Sequence, residues 1–120
     1  PTRNRDDELA ALLGSLGAQS VPLDVLVMDD GASEATRRLV EERFPWAAYR
    51  SMGTGKGPAV QRNRGTELAR SAIVFSVVDD TAFVSRRTRE QTLEEFDDPR
   101  VGAVGIPFIN VRRDEAVYKA

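Results

Sequence analysis

The sequence predicts an α/β fold with an open, mostly parallel sheet flanked by helices. Short apolar runs alternate with stretches of helical periodicity along the 120 residues, and this alternation is typical of parallel sheets with right-handed crossovers. Residues 73–78 are apolar apart from one serine and show no polar alternation, which indicates a strand buried on both faces. Residues 25–28 have the same character, and each run ends in two aspartates, Asp79 and Asp80 or Asp29 and Asp30.

The first half of the chain contains two predicted helices and two predicted strands. Asn4 is a candidate N-cap for the first helix, because three acidic residues follow in the first turn. Leucines 9, 12, 13 and 16 fall on one face of this helix, and Gly17 is its predicted end. A strand is expected around residues 23–28. Ser33 is predicted to cap a second helix that ends at Pro45, and residues 47–50 form a short strand.

The second half of the chain begins with a glycine-rich loop, residues 51–57. Pro58 is predicted to start a third helix that runs to about Arg70. Gly65 weakens this helix unless a neighbouring element packs closely against it. After the strand at 73–78 we expect a helix over residues 86–96 and a strand over residues 101–106, which residues 108–111 could continue.

Composition restricts the chemistry that this chain can perform. The sequence has no cysteine and no histidine, which excludes disulfides, thiolate sites, Ser-His triads and histidine ligands. Any metal would be held by oxygen, as Mg²⁺ and Mn²⁺ prefer. The net charge of -2 gives no reason to expect a nucleic-acid partner. No apolar run approaches membrane-spanning length and no signal peptide is visible, and a start without Met suggests a fragment.

The two aspartate pairs are predicted to converge, because the carboxyl ends of parallel strands lie at one edge of a sheet, where ligands bind. Asp79 and Asp80 could hold a divalent cation that bridges a diphosphate. A fixed carboxylate only accepts hydrogen bonds, so Asp30 suits a nucleobase N–H or a ribose hydroxyl. Asp29 is the weaker candidate, because successive side chains on a strand point to opposite faces. Each pair is also compatible with an ordinary solvated turn or helix cap.

Basic residues lie near the start of the chain and in or after the glycine-rich loop, and each of them could face a diphosphate or be a solvated surface charge. They are Arg3, Arg5, Lys56, Arg62 and Arg64. The glycine-rich loop is not a P-loop, because Arg50 stands where the first glycine of that motif should be and Gly57 where Ser or Thr should be.

The order of the motifs PTRNR, VMDDGASEAT, QRNRG and VDDT resembles the nucleotide-sugar-binding half of family 2 glycosyltransferases, which have the GT-A fold. The resemblance runs from Pro1 to about Phe108. It implies that residues 1–120 bind a nucleotide-diphosphate sugar, with a UDP-sugar favoured, together with Mn²⁺ or Mg²⁺. The implied reaction is inverting transfer of a hexose to a carbohydrate or lipid-linked acceptor in polysaccharide biosynthesis. The expected location is cytoplasmic, and parts outside this sequence could hold the protein at the inner face of a membrane.

The resemblance also implies roles for particular residues. Asp30 corresponds to the residue that contacts the base, and Asp79 to one near the ribose or sugar. The implied metal ligand is Asp80, and the implied donor-binding residues are Pro1, Thr2, Arg3, Asp30, Arg62, Asn63 and Asp79.

The sequence departs from the family pattern at three points. Val78 replaces the first aspartate of the DxD motif. The catalytic base, expected in the acceptor-binding half, has no match here. The family's first strand, expected between the strands at 23–28 and 73–78, would precede Pro1. We therefore expect a partial GT-A domain that could be inactive alone.

Two other functions fit parts of the pattern. A response-regulator receiver domain also places an acidic pair and a phosphorylated aspartate, here Asp79 or Asp80, about fifty residues apart. However, the helix ahead of residue 23 and the absence of Ser, Thr or Lys at the end of residues 101–106 argue against it. A non-catalytic transferase fragment is the other alternative.

Overall fold

The computed structural model describes residues 1–109. It confirms an α/β fold with a parallel sheet flanked by helices. Strands β1 (Leu26–Asp29) and β2 (Ala48–Ser51) pair in parallel, with Leu26 opposite Ala48. The helices are α1 (Asp6–Gly17), α2 (Glu34–Arg43), α3 (Pro58–Leu68) and α4 (Thr88–Glu94), and a 3₁₀ turn follows at Glu95–Asp97.

Neighbouring residues of β1 face opposite layers, because strand side chains alternate. Val27 packs with helices α1 and α2, whereas Met28 faces α3. A Cβ at Gly65 would lie 3.3 Å from the Met28 Cγ, so this glycine lets α3 approach the strand closely, as its sequence position suggested. The buried core consists of Leu9, Leu12, Leu13, Leu16, Val27, Val40 and Phe44.

The predicted start of α2 is confirmed, but that of α1 is wrong. Ser33 is the N-cap of α2, and its side chain accepts a hydrogen bond from the Thr36 N–H at 3.3 Å. At α1 the N-cap position is Arg5, without a side-chain hydrogen bond. Asn4 instead adopts a left-handed conformation, φ 51°, which asparagine tolerates better than most residues. It forms part of the turn that leads the chain into the helix.

The predicted strands at 73–78 and 101–106 are wrong, since neither segment pairs with another strand within residues 1–109. Side chains in the first segment nevertheless alternate as in a strand: Ile73, Phe75 and Val77 are half-buried and Val74 is exposed. The proposed continuation at 108–111 lies partly outside the described residues. The helix predicted at 86–96 is present as α4 and the 3₁₀ turn.

A cavity of about 700 Å³ lies beside residues 73–77, where a pairing strand would be needed. It separates β1 from residues 72–77, and the leucines of α1 and the α3 residues Gly65 and Leu68 also line it. Thr2 bridges in parallel to β1 near one end of this cavity. Because backbone groups must find partners to form a strand, an apolar segment without a neighbour does not become one. No helix within residues 1–109 has the length and apolar character needed to cross a membrane.

Candidate functional site

Thr2 contacts both aspartate pairs. Its N–H donates to the Met28 carbonyl at 2.9 Å, and its carbonyl accepts from the Asp30 N–H at 2.8 Å. Its hydroxyl donates to the Asp79 Oδ2 at 2.8 Å, in a buried contact. The two pairs therefore converge on one buried residue, although the second pair does not follow a hydrogen-bonded strand.

The Asp29 carboxylate is bound by hydrogen-bond donors of its own chain. The residue is fully buried, and its carboxylate accepts hydrogen bonds from the Gly31 N–H at 2.8 Å, the Ser33 N–H at 2.9 Å and the Tyr49 hydroxyl at 2.6 Å. Burial, followed by donation to Asp29, raises the pKa of Tyr49. These contacts fix the turn between β1 and α2, so Asp29 faces the protein rather than a ligand.

The Asp30 carboxylate is held at the amino end of α3. Oδ1 accepts from the Lys56 N–H and the Gln61 Nε2, each at 2.8 Å. Oδ2 has a longer contact to the Gly57 N–H, 3.2 Å, and lies 4.0 Å from the Arg3 guanidinium. The hydrogen bond from Gln61 is the main cause that lowers the pKa of Asp30, and it outweighs the effect of burial. Asp30 is therefore an internal anion at neutral pH.

The glycine-rich loop takes a backbone conformation that glycine favours. Gly53, Gly55 and Gly57 have φ values of 90°, 71° and 88°, and a Cβ at each would meet open space. Glycine is needed there for backbone conformation rather than for room. The loop differs physically from a phosphate-binding loop, since the anion that its N–H groups contact is the Asp30 carboxylate.

Asp79 and Asp80 share one cationic partner, Arg5. The Arg5 Nη1 lies 3.5 Å from the Asp79 Oδ1 and 3.4 Å from the Asp80 Oδ2. Asp79 is buried, whereas the Asp80 side chain is 52% exposed. The Thr81 hydroxyl donates to the Val78 carbonyl at 2.8 Å and closes the turn that presents the pair. The pair is thus accessible to solvent on the Asp80 side.

The aspartate pair could contribute ligands to a cation that a substrate also binds. Within residues 1–109 there is no cluster of three or more acidic, histidine or cysteine side chains able to hold a metal. Mg²⁺ and related ions are commonly bound by one or two carboxylates together with substrate phosphates and water. Asp79 and Asp80 could supply two such carboxylates, with the Arg5 guanidinium, 3.5 and 3.4 Å from them, competing for the same oxygens.

The other basic and donor-binding candidates do not all lie beside Asp79. Pro1 and Arg62 line the same cavity as Thr2 and Asp79. Asn63 is exposed on α3. Arg64 pairs with Glu67 at 2.9 Å on the helix surface, so this candidate is engaged outside the site.

Sequence reasoning missed Gln61 and Tyr49, which donate hydrogen bonds to Asp30 and Asp29. It named Arg5 only as one of several basic candidates. A signal for Gln61 exists, because it precedes Gly65 by four positions and therefore shares the α3 face that packs on β1. No sequence signal distinguishes Tyr49, whose role depends on the register of β2 beside β1.

The sequence of residues 1–119 matches the family described as glycosyl transferase family 2. The chain therefore belongs to that family of GT-A transferases, which removes the receiver-domain alternative. No curated protein matches the sequence.

Among solved structures, the chain is similar to one titled "Mannosyltransferase PcManGT from Pyrobaculum calidifontis in complex with GDP-Man and Mn2+". The TM-score is 0.74 and the sequence identity is 25%. The match covers 85% of this chain and 32% of that chain, so this chain spans about a third of the length of that protein.

Proposed function

We propose that this chain forms the donor-binding part of a hexosyltransferase that transfers a sugar from a nucleotide-diphosphate sugar to an acceptor hydroxyl with inversion. The observation that carries the proposal is Thr2, which joins the end of β1 to Asp79. This arrangement creates one locus with a buried Asp79 carboxylate, an exposed Asp80 carboxylate and nearby guanidinium groups. Family membership and the relative that holds GDP-Man and Mn²⁺ support it.

In this proposal Asp80, with Asp79 beside it, holds a divalent cation, Mn²⁺ or Mg²⁺. The cation would neutralise the diphosphate and stabilise it as a leaving group. Arg62 at the shared cavity and Arg3 beside Asp30 supply further positive charge for the donor. Pro1 and Thr2 border the nucleotide, Asn63 lines the donor pocket, and the general base comes from residues outside this segment.

Asp30 would accept a hydrogen bond from the base through Oδ2. That oxygen has one 3.2 Å hydrogen bond, whereas Oδ1 has two at 2.8 Å. Uracil and guanine are the two candidate bases, because the sequence predicts a UDP-sugar and the solved relative holds GDP-Man. The acceptor is proposed to be a carbohydrate or a lipid-linked sugar, handled on the cytoplasmic side.

Calorimetric titration with UDP and with GDP, each with and without Mn²⁺, tests the proposal. The wild-type chain should bind one nucleotide more tightly when Mn²⁺ is present. Asp80→Ala should weaken this Mn²⁺-supported binding by about tenfold or more, because the cation loses a charged ligand.

Asp24→Ala is the matched control, since Asp24 is also exposed, pairs with Arg70 and precedes β1, at the strand end opposite Asp29 and Asp30. Its affinity should equal that of the wild type. Equal affinities for Asp80→Ala and Asp24→Ala would exclude Asp80 as the metal ligand.

A further inference from the structure

We propose that Asp30 is a positioning residue for the diphosphate as well as a candidate base contact. Its carboxylate fixes the glycine-rich loop and the amino end of α3, and through that helix it sets the position of Arg62. The inference rests on the proposed function. It extends that function, because Asp30 would hold the loop and α3 in place, and with them the groups that bind the phosphates.

The first argument is the electrostatics of α3. Its N-cap is Gly57, no side chain caps it, and its first turn contains no acidic residue. The positive end of the helix dipole is therefore uncompensated by the helix's own residues. The Asp30 carboxylate supplies the missing anion from the end of β1 and accepts from the Lys56 and Gly57 N–H groups. By contrast, α2 has its own Ser33 cap and Glu34 in the first turn.

The second argument is how the loop is attached. The Gly55 N–H donates to the Asp30 carbonyl at 3.2 Å, and the next two N–H groups donate to the Asp30 carboxylate. Elsewhere in the loop, the Gly53 N–H contacts the Ser51 hydroxyl at 3.3 Å. Residues 51–56 are exposed, so packing contributes little to their order. Asp30 is the main attachment of this loop within the part of the chain that the structure describes.

The third argument is Gln61, which transmits the contact into the helix. Gln61 is fully buried, and its Nε2 donates to the Asp30 Oδ1 at 2.8 Å. Its Oε1 has no hydrogen-bond partner among the described residues. A buried amide in that state depends on its remaining bond, because losing it would leave the whole group unsatisfied. Arg62 follows directly and lines the same cavity as Thr2 and Asp79, so a shift of Gln61 would move the Arg62 backbone beside the proposed donor site.

A ligand without a base separates this role from base recognition. Mn²⁺ pyrophosphate carries the diphosphate charge but no nucleobase. We expect Asp30→Asn to weaken both Mn²⁺ pyrophosphate and the preferred Mn²⁺ nucleotide by about tenfold, since charged hydrogen bonds that hold the loop are lost. If Asp30→Asn weakens the nucleotide but leaves pyrophosphate affinity unchanged, the positioning role is overturned and Asp30 is a base contact only.

Amide hydrogen exchange provides a readout that is independent of ligand binding. In Asp30→Asn the Lys56 and Gly57 amides should exchange at least about tenfold faster, whereas amides in β2 should not. Unchanged protection at Lys56 and Gly57 would overturn the attachment itself. Asp24→Asn, an exposed carboxylate change before β1, is the matched control and should leave exchange and both affinities at wild-type values.

Gln61→Leu keeps the volume but removes the donor to Asp30, and it carries the test if Asp30→Asn fails to fold. It should weaken pyrophosphate binding by itself, and an unchanged affinity would overturn the proposal. Where Asp30→Asn folds, the double variant should lose less than the product of the two single losses, because both act through one contact. Multiplicative losses would overturn the proposed coupling. If the wild-type chain binds neither pyrophosphate nor nucleotide, the proposed function fails, while the exchange experiment still decides whether Asp30 holds the loop.

Discussion

The pairs Asp29–Asp30 and Asp79–Asp80 follow similar apolar runs but have different environments. The first pair ends a hydrogen-bonded strand, is buried, and accepts mainly from N–H and O–H groups of its own chain. The second pair ends an unpaired segment and is held by the Thr2 hydroxyl and the Arg5 guanidinium. An acidic pair at the end of an apolar run can therefore be held mainly by donors of its own chain or leave one carboxylate half exposed, depending on what surrounds it.

The largest expected effect is on folding, from removal of the most buried carboxylate. Asp29→Ala should reduce the free energy of unfolding by about 3 kcal/mol or more, because two N–H groups and the Tyr49 hydroxyl lose their acceptor. Urea denaturation followed by circular dichroism measures this loss.

Asp80→Ala is the comparison variant, since its side chain is 52% exposed. It should stay within about 0.5 kcal/mol of the wild type. Equal losses for Asp29→Ala and Asp80→Ala would contradict the assignment of Asp29 as an anchoring carboxylate and Asp80 as an accessible one.

The next effect concerns the unpaired segment before Asp79. An apolar extension of about six residues joined to Pro1 would continue the Thr2 register along β1, with the added strand entering the cavity beside residues 73–77. We expect the free energy of unfolding to rise by about 2 kcal/mol, since the added strand buries apolar side chains between two helical layers.

A glycine-serine extension of equal length is the control, because it adds chain without apolar side chains. The apolar extension alone should also slow amide exchange in residues 73–77 as they acquire strand partners. Similar stability and exchange for the two extensions would show that the cavity does not accept a strand.

The smallest expected effect is on cation affinity. Arg5→Ala removes a positive charge within 3.5 Å of Asp79 and 3.4 Å of Asp80, so Mn²⁺ alone should bind about threefold more tightly, with the gain limited by solvent screening. Electron paramagnetic resonance of free Mn²⁺ measures the change. Arg64→Ala, which removes an arginine paired with Glu67, should leave the affinity unaltered. Weaker Mn²⁺ binding by Arg5→Ala would mean that Arg5 supports the cation site rather than competing with it.

Local patterns predicted most of the elements correctly. The leucine spacing of α1, the Ser33 cap of α2 and the Pro58 start of α3 are all present. Each depends on contacts within a few residues, which sequence spacing specifies directly. The order of the short motifs likewise indicated the fold class and the family.

Strand pairing and the different environments of the aspartates could be determined only from the tertiary structure. Residues 73–78 have the composition of a buried strand, but a strand exists only with a hydrogen-bonded neighbour, and a cavity lies where that neighbour would be. Likewise, nothing in the repeated Asp-Asp motif distinguishes Asp30 from Asp80. Gln61 and the loop N–H groups approach the first from another part of the chain, whereas the second remains half exposed beside Arg5. Sequence specified which chemical groups are present and their local conformation, and long-range packing decided which carboxylates remain accessible to a ligand.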